Sequence, residues 1–150
     1  MKVAIGNDHA GVALKEEIAA FLRQEGYEVI NCGTDTFDSV DYPDIAEKVA
    51  EEVLKQNIPG IIICGTGIGI SIAANKIPGI RAALCNDLFT ARMTRKHNNA
   101  NILALGARVI GAGLAVEIVR EFLNTDFEGG RHQARVEKIS AIEKKYREKV

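Results

Sequence analysis

The run Ile61-Ile62-Ile63-Cys64-Gly65-Thr66-Gly67-Ile68-Gly69-Ile70-Ser71 constrains this chain more than any other stretch. Three isoleucines with no polar break require cover on both faces, as in a central strand of a parallel sheet. A cysteine closes the strand, and the glycines after it open a helix. Glycine lets the backbone come close to a ligand and turn successive N–H groups toward it. A thiol at that junction lies near the positive end of a helix, a setting that favours thiolate. One turn therefore carries both a reactive group and an anion cradle.

The rest of the chain repeats the strand-then-helix alternation. Lys2–Gly6 reads as a strand. Val12–Glu25 reads as a helix, with Leu14, Ile18, Phe21 and Leu22 on one face and Gly26 as its stop. Tyr27–Cys32 is a second strand, and Gly33–Tyr42 a polar loop. Pro43 sits where a helix can begin, and Ile45, Ala46, Val49, Ala50, Val53 and Leu54 give that helix its stripe. After Ile61–Cys64 come a helix over Gly67–Lys76, a strand over Ile80–Cys85 and a helix over Leu88–Lys96. A strand over Asn101–Leu105 and a helix over Leu114–Asn124 follow. A last helix runs from Gly129-Gly130 to the C-terminus, with Val136, Ile139, Ile142 and Tyr146 on one side. The pattern predicts an α/β fold: a three-layer α/β/α, Rossmann-like arrangement around a five-stranded parallel sheet. At 150 residues the chain is expected to form a single domain, residues 1–150. In such folds ligands bind beyond the carboxyl ends of the strands. That rule selects Asp8, His9, Cys32, Cys64, Asn86 and Asp87.

Composition excludes several classes. A net charge of −1 offers no electrostatic argument for nucleic acid or a membrane surface. No apolar run approaches the ~20 residues of a membrane span, and Met1–Gly6 is too soon punctuated for a signal peptide. Three cysteines with no CxxC pair fit a reducing, cytoplasmic setting and argue against a disulfide framework or a structural zinc site.

The motifs each admit a plain reading as well as a chemical one. Gly65-x-Gly67-x-Gly69 is not a dinucleotide fingerprint, because Ile70 stands where a third small residue is needed and the turn follows the third strand. Asp87 is better read as a helix N-cap than as a ribose-binding acid. Cys64 is either a small apolar strand terminus or a nucleophilic base, and Cys32 and Cys85 read as packing. Asp8 caps a helix or holds a sugar hydroxyl; His9 faces water or binds phosphate. His97-Asn98-Asn99 is a helix end or a sugar-binding loop. Arg131 and Arg135, one turn apart, form a solvated face or a phosphate grip that Arg108 could join.

Taken together, Gly6-Asn7-Asp8-His9-Ala10-Gly11, Cys64-Gly65-Thr66-Gly67-Ile68-Gly69, Ser71-Ile72-Ala73-Ala74-Asn75-Lys76, His97-Asn98-Asn99-Ala100-Asn101, Gly106-Ala107-Arg108 and Gly129-Gly130-Arg131-His132-Gln133 resemble the type B ribose-5-phosphate isomerases of the ribose/galactose isomerase family, over essentially the whole chain. The resemblance implies a cofactor-independent, metal-free isomerisation of ribose 5-phosphate and ribulose 5-phosphate through an enediolate, in the non-oxidative pentose phosphate pathway. Cys64 would carry the proton between C2 and C1, and His97, with Thr66, would open the sugar ring. Asp8, Asn98 and the turn residues Gly65, Thr66, Gly67, Ile68, Gly69 and Ser71 would hold the sugar. His9, Arg108, Arg131 and Arg135 would receive the phosphate. The active site would be built from two subunits, so a homodimer is implied, with a tetramer as a further step of assembly. Departures from the family pattern are Asn7, where Ser is common, and Ala134, where a longer polar residue is common. Two other readings stand beside this one: an isomerase of allose or galactose 6-phosphate, and a non-catalytic sugar-phosphate-binding module.

Overall fold

The computed structural model describes residues 1–149. Five strands alternate with helices: β1 (Lys2–Asn7), α1 (Val12–Gln24), β2 (Glu28–Asn31), α2 (Tyr42–Gln56), β3 (Gly60–Cys64), α3 (Ile68–Ala74), β4 (Ala82–Leu84), α4 (Leu88–Asn98), β5 (Ile102–Gly106), α5 (Ala112–Leu123) and α6 (Arg131–Arg147). A 3₁₀ turn, His9–Gly11, joins β1 to α1. The strands form one sheet in the order β2-β1-β3-β5-β4, every pair parallel. The expected three-layer α/β/α architecture is the one observed. The expectation that the last helix reaches the C-terminus holds as far as Arg147; Val150 lies outside the described residues.

The direction of each crossover decides which face its helix covers. Parallel crossovers are right-handed. The steps β1 to β2 and β4 to β5 run one way along the sheet, and β2 to β3 and β3 to β4 run the other. Accordingly α1 and α4, with α5, pack on the face carrying Val3, Ile5, Ile61, Ile63, Leu103 and Leu105. α2 and α3 pack on the face carrying Ala4, Ile62, Cys64, Ile102 and Ala104. Side chains alternate along each strand, so Cys64 shares its face with Ile62.

Most element ends differ from the expected spans by one or two residues, and those around α3 differ for a local reason. α3 begins at Ile68 because Gly67 is left-handed (φ 79°). It ends at Ala74 because the Asn75 amide turns outward to pair with both backbone groups of Ala82, at 2.8 and 2.9 Å. That clasp also delays β4 to Ala82–Leu84. On α6, Val136 is buried, but Ile139, Ile142 and Tyr146 are exposed. No helix is long and apolar enough to cross a membrane among the described residues.

Candidate active site

Backbone bonds draw three neighbouring strand ends into one floor. The Asp8 N–H donates to Ile63 O at 3.1 Å, Ala107 N–H to Cys64 O at 2.9 Å, and Arg108 N–H to Gly65 O at 2.9 Å. From this floor the chain leaves β1 and β5 toward the α1 face and leaves β3 toward the α3 face. The crevice so formed lies where connections diverge, the position at which open parallel sheets bind ligands.

Cys64 is buried, and its Sγ accepts the Gly67 N–H at 3.1 Å. That bond needs the left-handed turn at Gly67. A Cβ there would lie 2.5 Å from Leu84 Cδ1 and 2.9 Å from the Leu105 carbonyl carbon, so only glycine fits. The anion cradle is narrower than the glycine pattern suggests. The Gly67 N–H is on the sulfur, the Ile68 N–H reaches the Thr66 hydroxyl at 3.2 Å, and the Ser71 N–H bonds Gly67 O at 3.3 Å. The Ser71 hydroxyl is also turned inward, donating to Ile68 O at 2.8 Å, so Ser71 closes the helix start rather than facing the crevice. The amides of Gly69 and Ile70, in the first turn of α3, have no intrahelical acceptor and remain for a ligand.

Asp8 and His9 flank this turn from β1. Asp8 is buried and caps the 3₁₀ turn through Ala10 N–H at 2.9 Å, which leaves its second oxygen for a hydroxyl. His9 Nδ1 accepts the Val40 N–H at 3.2 Å, so a neutral ring carries its proton on Nε2. Arg108 lays its guanidinium beside Gly65, with Nη1 3.4 Å from where a Cβ would stand. Tyr42 joins them unforeseen. As the first residue of α2, it places its ring over Gly69, with Cζ 2.7 Å from a Cβ position there. The signal was Tyr42-Pro43 at a helix start, which fixes the aromatic at the end of α2 nearest the crevice.

His97, Asn98, Arg131 and Arg135 lie elsewhere. α4 leaves the carboxyl end of β4 and returns to the amino end of β5, so His97 stands at the opposite rim of the sheet from Cys64. β5 alone separates the rims by about 16 Å, at ~3.3 Å per residue. There the amino ends of β3 and β4 meet Asn101, whose carbonyl accepts Gly60 N–H at 2.9 Å and whose Oδ1 accepts Arg81 N–H at 2.8 Å. Asn99 caps α4 in the left-handed conformation (φ 47°). Arg131 and Arg135 share an exposed face of α6, and neither joins an ion pair among the described residues. One chain thus holds its candidate residues in two separate halves, a thiol-and-amide half and an imidazole-and-guanidinium half.

In the second half, His97 stacks on buried His132, with ring centroids 4.2 Å apart and planes within 11°. Burial, then the neighbouring His97 and Arg131, hold the His132 pKa below the usual histidine range, against the pull of Glu128. Donor atoms of His97, Glu128 and His132 lie within 4.8 Å of one another, the one metal-like grouping among the described residues. Stacked rings send their in-plane lone pairs along parallel planes, so a single ion cannot align with both imidazoles without unstacking them. The other two thiols are set for packing, as expected: burial raises the pKa of Cys32 and pushes that of Cys85 to about 11. Asp87 is an N-cap, accepting Thr90 N–H at 2.7 Å.

A sequence model of the Ribose/Galactose Isomerase family matches residues 3–139. Ribose-5-phosphate isomerase B of Escherichia coli is 51% identical over 96% of this chain and 97% of its own. D-erythrulose-4-phosphate isomerase of Pectobacterium atrosepticum is 46% identical, over 95% of each. The structure of Clostridium thermocellum ribose-5-phosphate isomerase B superposes with a TM-score of 0.95 at 60% identity, covering 97% of this chain and 99% of that one. Matched over nearly its whole length in sequence and in fold, the chain belongs to the ribose/galactose isomerase family.

Proposed function

We propose that this chain is an aldose–ketose isomerase that interconverts ribose 5-phosphate and ribulose 5-phosphate without a cofactor, in non-oxidative pentose phosphate metabolism. The carrying observation is the Cys64 sulfur, hydrogen-bonded to Gly67 N–H on the crevice floor and one turn from the open amides of Gly69 and Ile70. A C2 proton leaves an open-chain aldose only if the charge growing on its C1 oxygen is stabilised. Cys64, as thiolate, takes that proton. The C–H electron pair forms the C1–C2 double bond, and the carbonyl pair moves onto O1, facing the amides. The O2 proton passes to O1 as the C2 carbonyl forms, and Cys64 returns its proton to C1, which leaves the thiolate free and the ketose with its C1 hydroxyl. Since the sugar arrives as a ring, His97, with Thr66, first takes the anomeric hydroxyl proton and supplies one to the ring oxygen. Asp8 and Asn98 hold hydroxyls; His9, Arg108, Arg131 and Arg135 take the phosphate.

This assignment requires two copies of the chain, because the thiol half and the imidazole half lie at opposite rims of one sheet. A homodimer in which α6 and the end of α4 of one protomer face the crevice of its partner completes the site. The exposed Ile139, Ile142 and Tyr146 of α6, and exposed Ile68 and Val109 beside the crevice, supply apolar surface for such a contact. Pairing of dimers into tetramers is the further step. Three unpaired thiols suit a cytoplasmic enzyme.

The relative named for a four-carbon sugar phosphate makes chain length the open variable. The test is ketose formation by metal-free protein from ribose 5-phosphate, allose 6-phosphate and erythrose 4-phosphate side by side. Highest kcat/KM on the pentose is the expected result. A preference for the hexose or tetrose keeps the chemistry and replaces the substrate, and inertness toward all three, with retained binding, overturns the isomerase reading.

A further inference from the structure

We infer that His132, to which no step of the reaction gives a role, is a positioning residue that holds the His97 imidazole flat and correctly turned for ring opening. The inference rests on the isomerase reading above.

The stack is built by the backbone. Gly129 and Gly130 both have positive φ, 68° and 54°, which turns the chain sharply into α6 and delivers its second residue onto the end of α4. His132 and Val136 are the only buried residues of α6. A buried imidazole is a costly choice where an apolar side chain would pack as well. His132 makes no hydrogen bond with another described side chain; its Nε2 stands 3.7 Å from Glu128 Oε2. What it does contact, face to face, is His97. Aromatic rings in parallel contact restrict each other's tilt, and His97, in the last turn of α4, makes no side-chain hydrogen bond among the described residues to restrict its own. A general acid–base group works only within a narrow geometry, and the stack supplies it while leaving the nitrogen-bearing edge of His97 free.

The charges around the pair suit this division of labour. Arg131 and Arg135 on α6, Lys96 on α4 and Glu128 on the preceding loop surround it, with Lys96 and Glu128 3.8 Å apart. Burial and these cations favour the neutral form of the His132 ring, so His97 stacks on a partner that does not compete for the proton.

The test is a double-mutant cycle on ribose 5-phosphate with His97→Asn, His132→Ala and both together, plus His132→Phe as the flat, non-titrating replacement. His132→Ala is expected to lower kcat about tenfold or more while KM stays within about threefold. His132→Phe should recover most of that loss. In the His97→Asn background, His132→Ala should cost less than about twofold, since residues acting as a unit are not additive. A parallel readout needs no activity. Proton NMR of the ring hydrogens of His97 should show the upfield displacement of a stacked partner in the native protein and in His132→Phe, lost in His132→Ala. An undiminished loss in the His97→Asn background, a change in KM alone, or unshifted His97 ring protons in the native protein each overturn the proposal. If native protein turns over no sugar phosphate, the isomerase reading falls instead, and the NMR comparison still decides the stack. Should His132→Ala fail to fold, His132→Phe against His132→Gln, flat against flexible, carries the same comparison.

Discussion

Two residues build the thiol corner, Cys64 and the glycine that holds it, Gly67. Strand alternation turns the Cys64 side chain to the α2/α3 face, and Gly67 bends the next peptide so that its N–H points back at the sulfur. Each can be removed separately. Cys64→Ala deletes the proposed base but leaves the amides and the proposed phosphate-binding groups, so turnover should fall by about 10³-fold or more while binding of the sugar phosphate changes only a few-fold. Single-turnover kinetics beside calorimetric binding separate the two, and normal turnover would remove the thiol from the reaction. Gly67→Ala keeps the thiol and forces a side chain into a left-handed turn already in contact with Leu84. It should cost about 1–3 kcal/mol of stability, and kcat should drop because the amide leaves the sulfur. A denaturant melt paired with steady-state rates measures both, and an unchanged melt would mean that the turn tolerates the side chain.

Among the elements, the connection from β2 to α2 is held by groups outside it. Lys15, buried on α1, donates to Thr34 O at 2.7 Å and to the Asp35 carboxylate; Asn7 Nδ2 donates to Thr34 O at 3.0 Å. The far end of the same connection reaches His9 through Val40. Lys15→Met keeps the apolar stem and removes the ammonium, so it should cost about 1–2 kcal/mol and raise KM through a loosened His9. Its signature is in the acid range. The Lys15 hydrogen bond, then that of Asn31, lowers the Asp35 pKa. A lowered folded-state pKa gives stability that is fully present above the unfolded carboxylate value near ~3.9 and is lost as pH falls from there through the folded-state value. The melting temperature of the variant should therefore fall less steeply between pH 5 and pH 3, by ~pH scans of both proteins; parallel curves would place the bond outside the folding balance. None of this network was legible in the sequence, where the segment reads only as polar. The strands and helices were legible because periods of 2 and 3.6 survive in their apolar positions. Strand order was not, since pairing joins residues far apart in the chain. The same limit applies to the stripe Ile139, Ile142 and Tyr146: its spacing announces an apolar face but not what covers it, and among the described residues all three stay exposed.

At the scale of the whole molecule, the connectivity that builds the crevice also empties it of half its groups. Each crossover helix begins at the carboxyl rim and ends at the amino rim, so a residue at the start of a helix and one at the end of another cannot meet across a single sheet. Cys64 closes β3 and His97 comes near the end of α4, so they fall on opposite rims. On the proposed reading a second protomer supplies what the first cannot, and that reading makes a prediction that a self-contained site does not. Cys64→Ala protein and Arg131→Ala protein, each nearly inactive alone, should regain activity when mixed, unfolded together and refolded. In a heterodimer, one site would receive both defects and the other would receive neither. Random pairing makes half of the dimers mixed, with one intact site in two, so activity should recover to about one quarter of the native level in a two-fold symmetric dimer. No recovery, with mixed dimers demonstrated by mass spectrometry, would mean that both halves come from one chain. In that case α6 would have to leave the position it occupies beside α4.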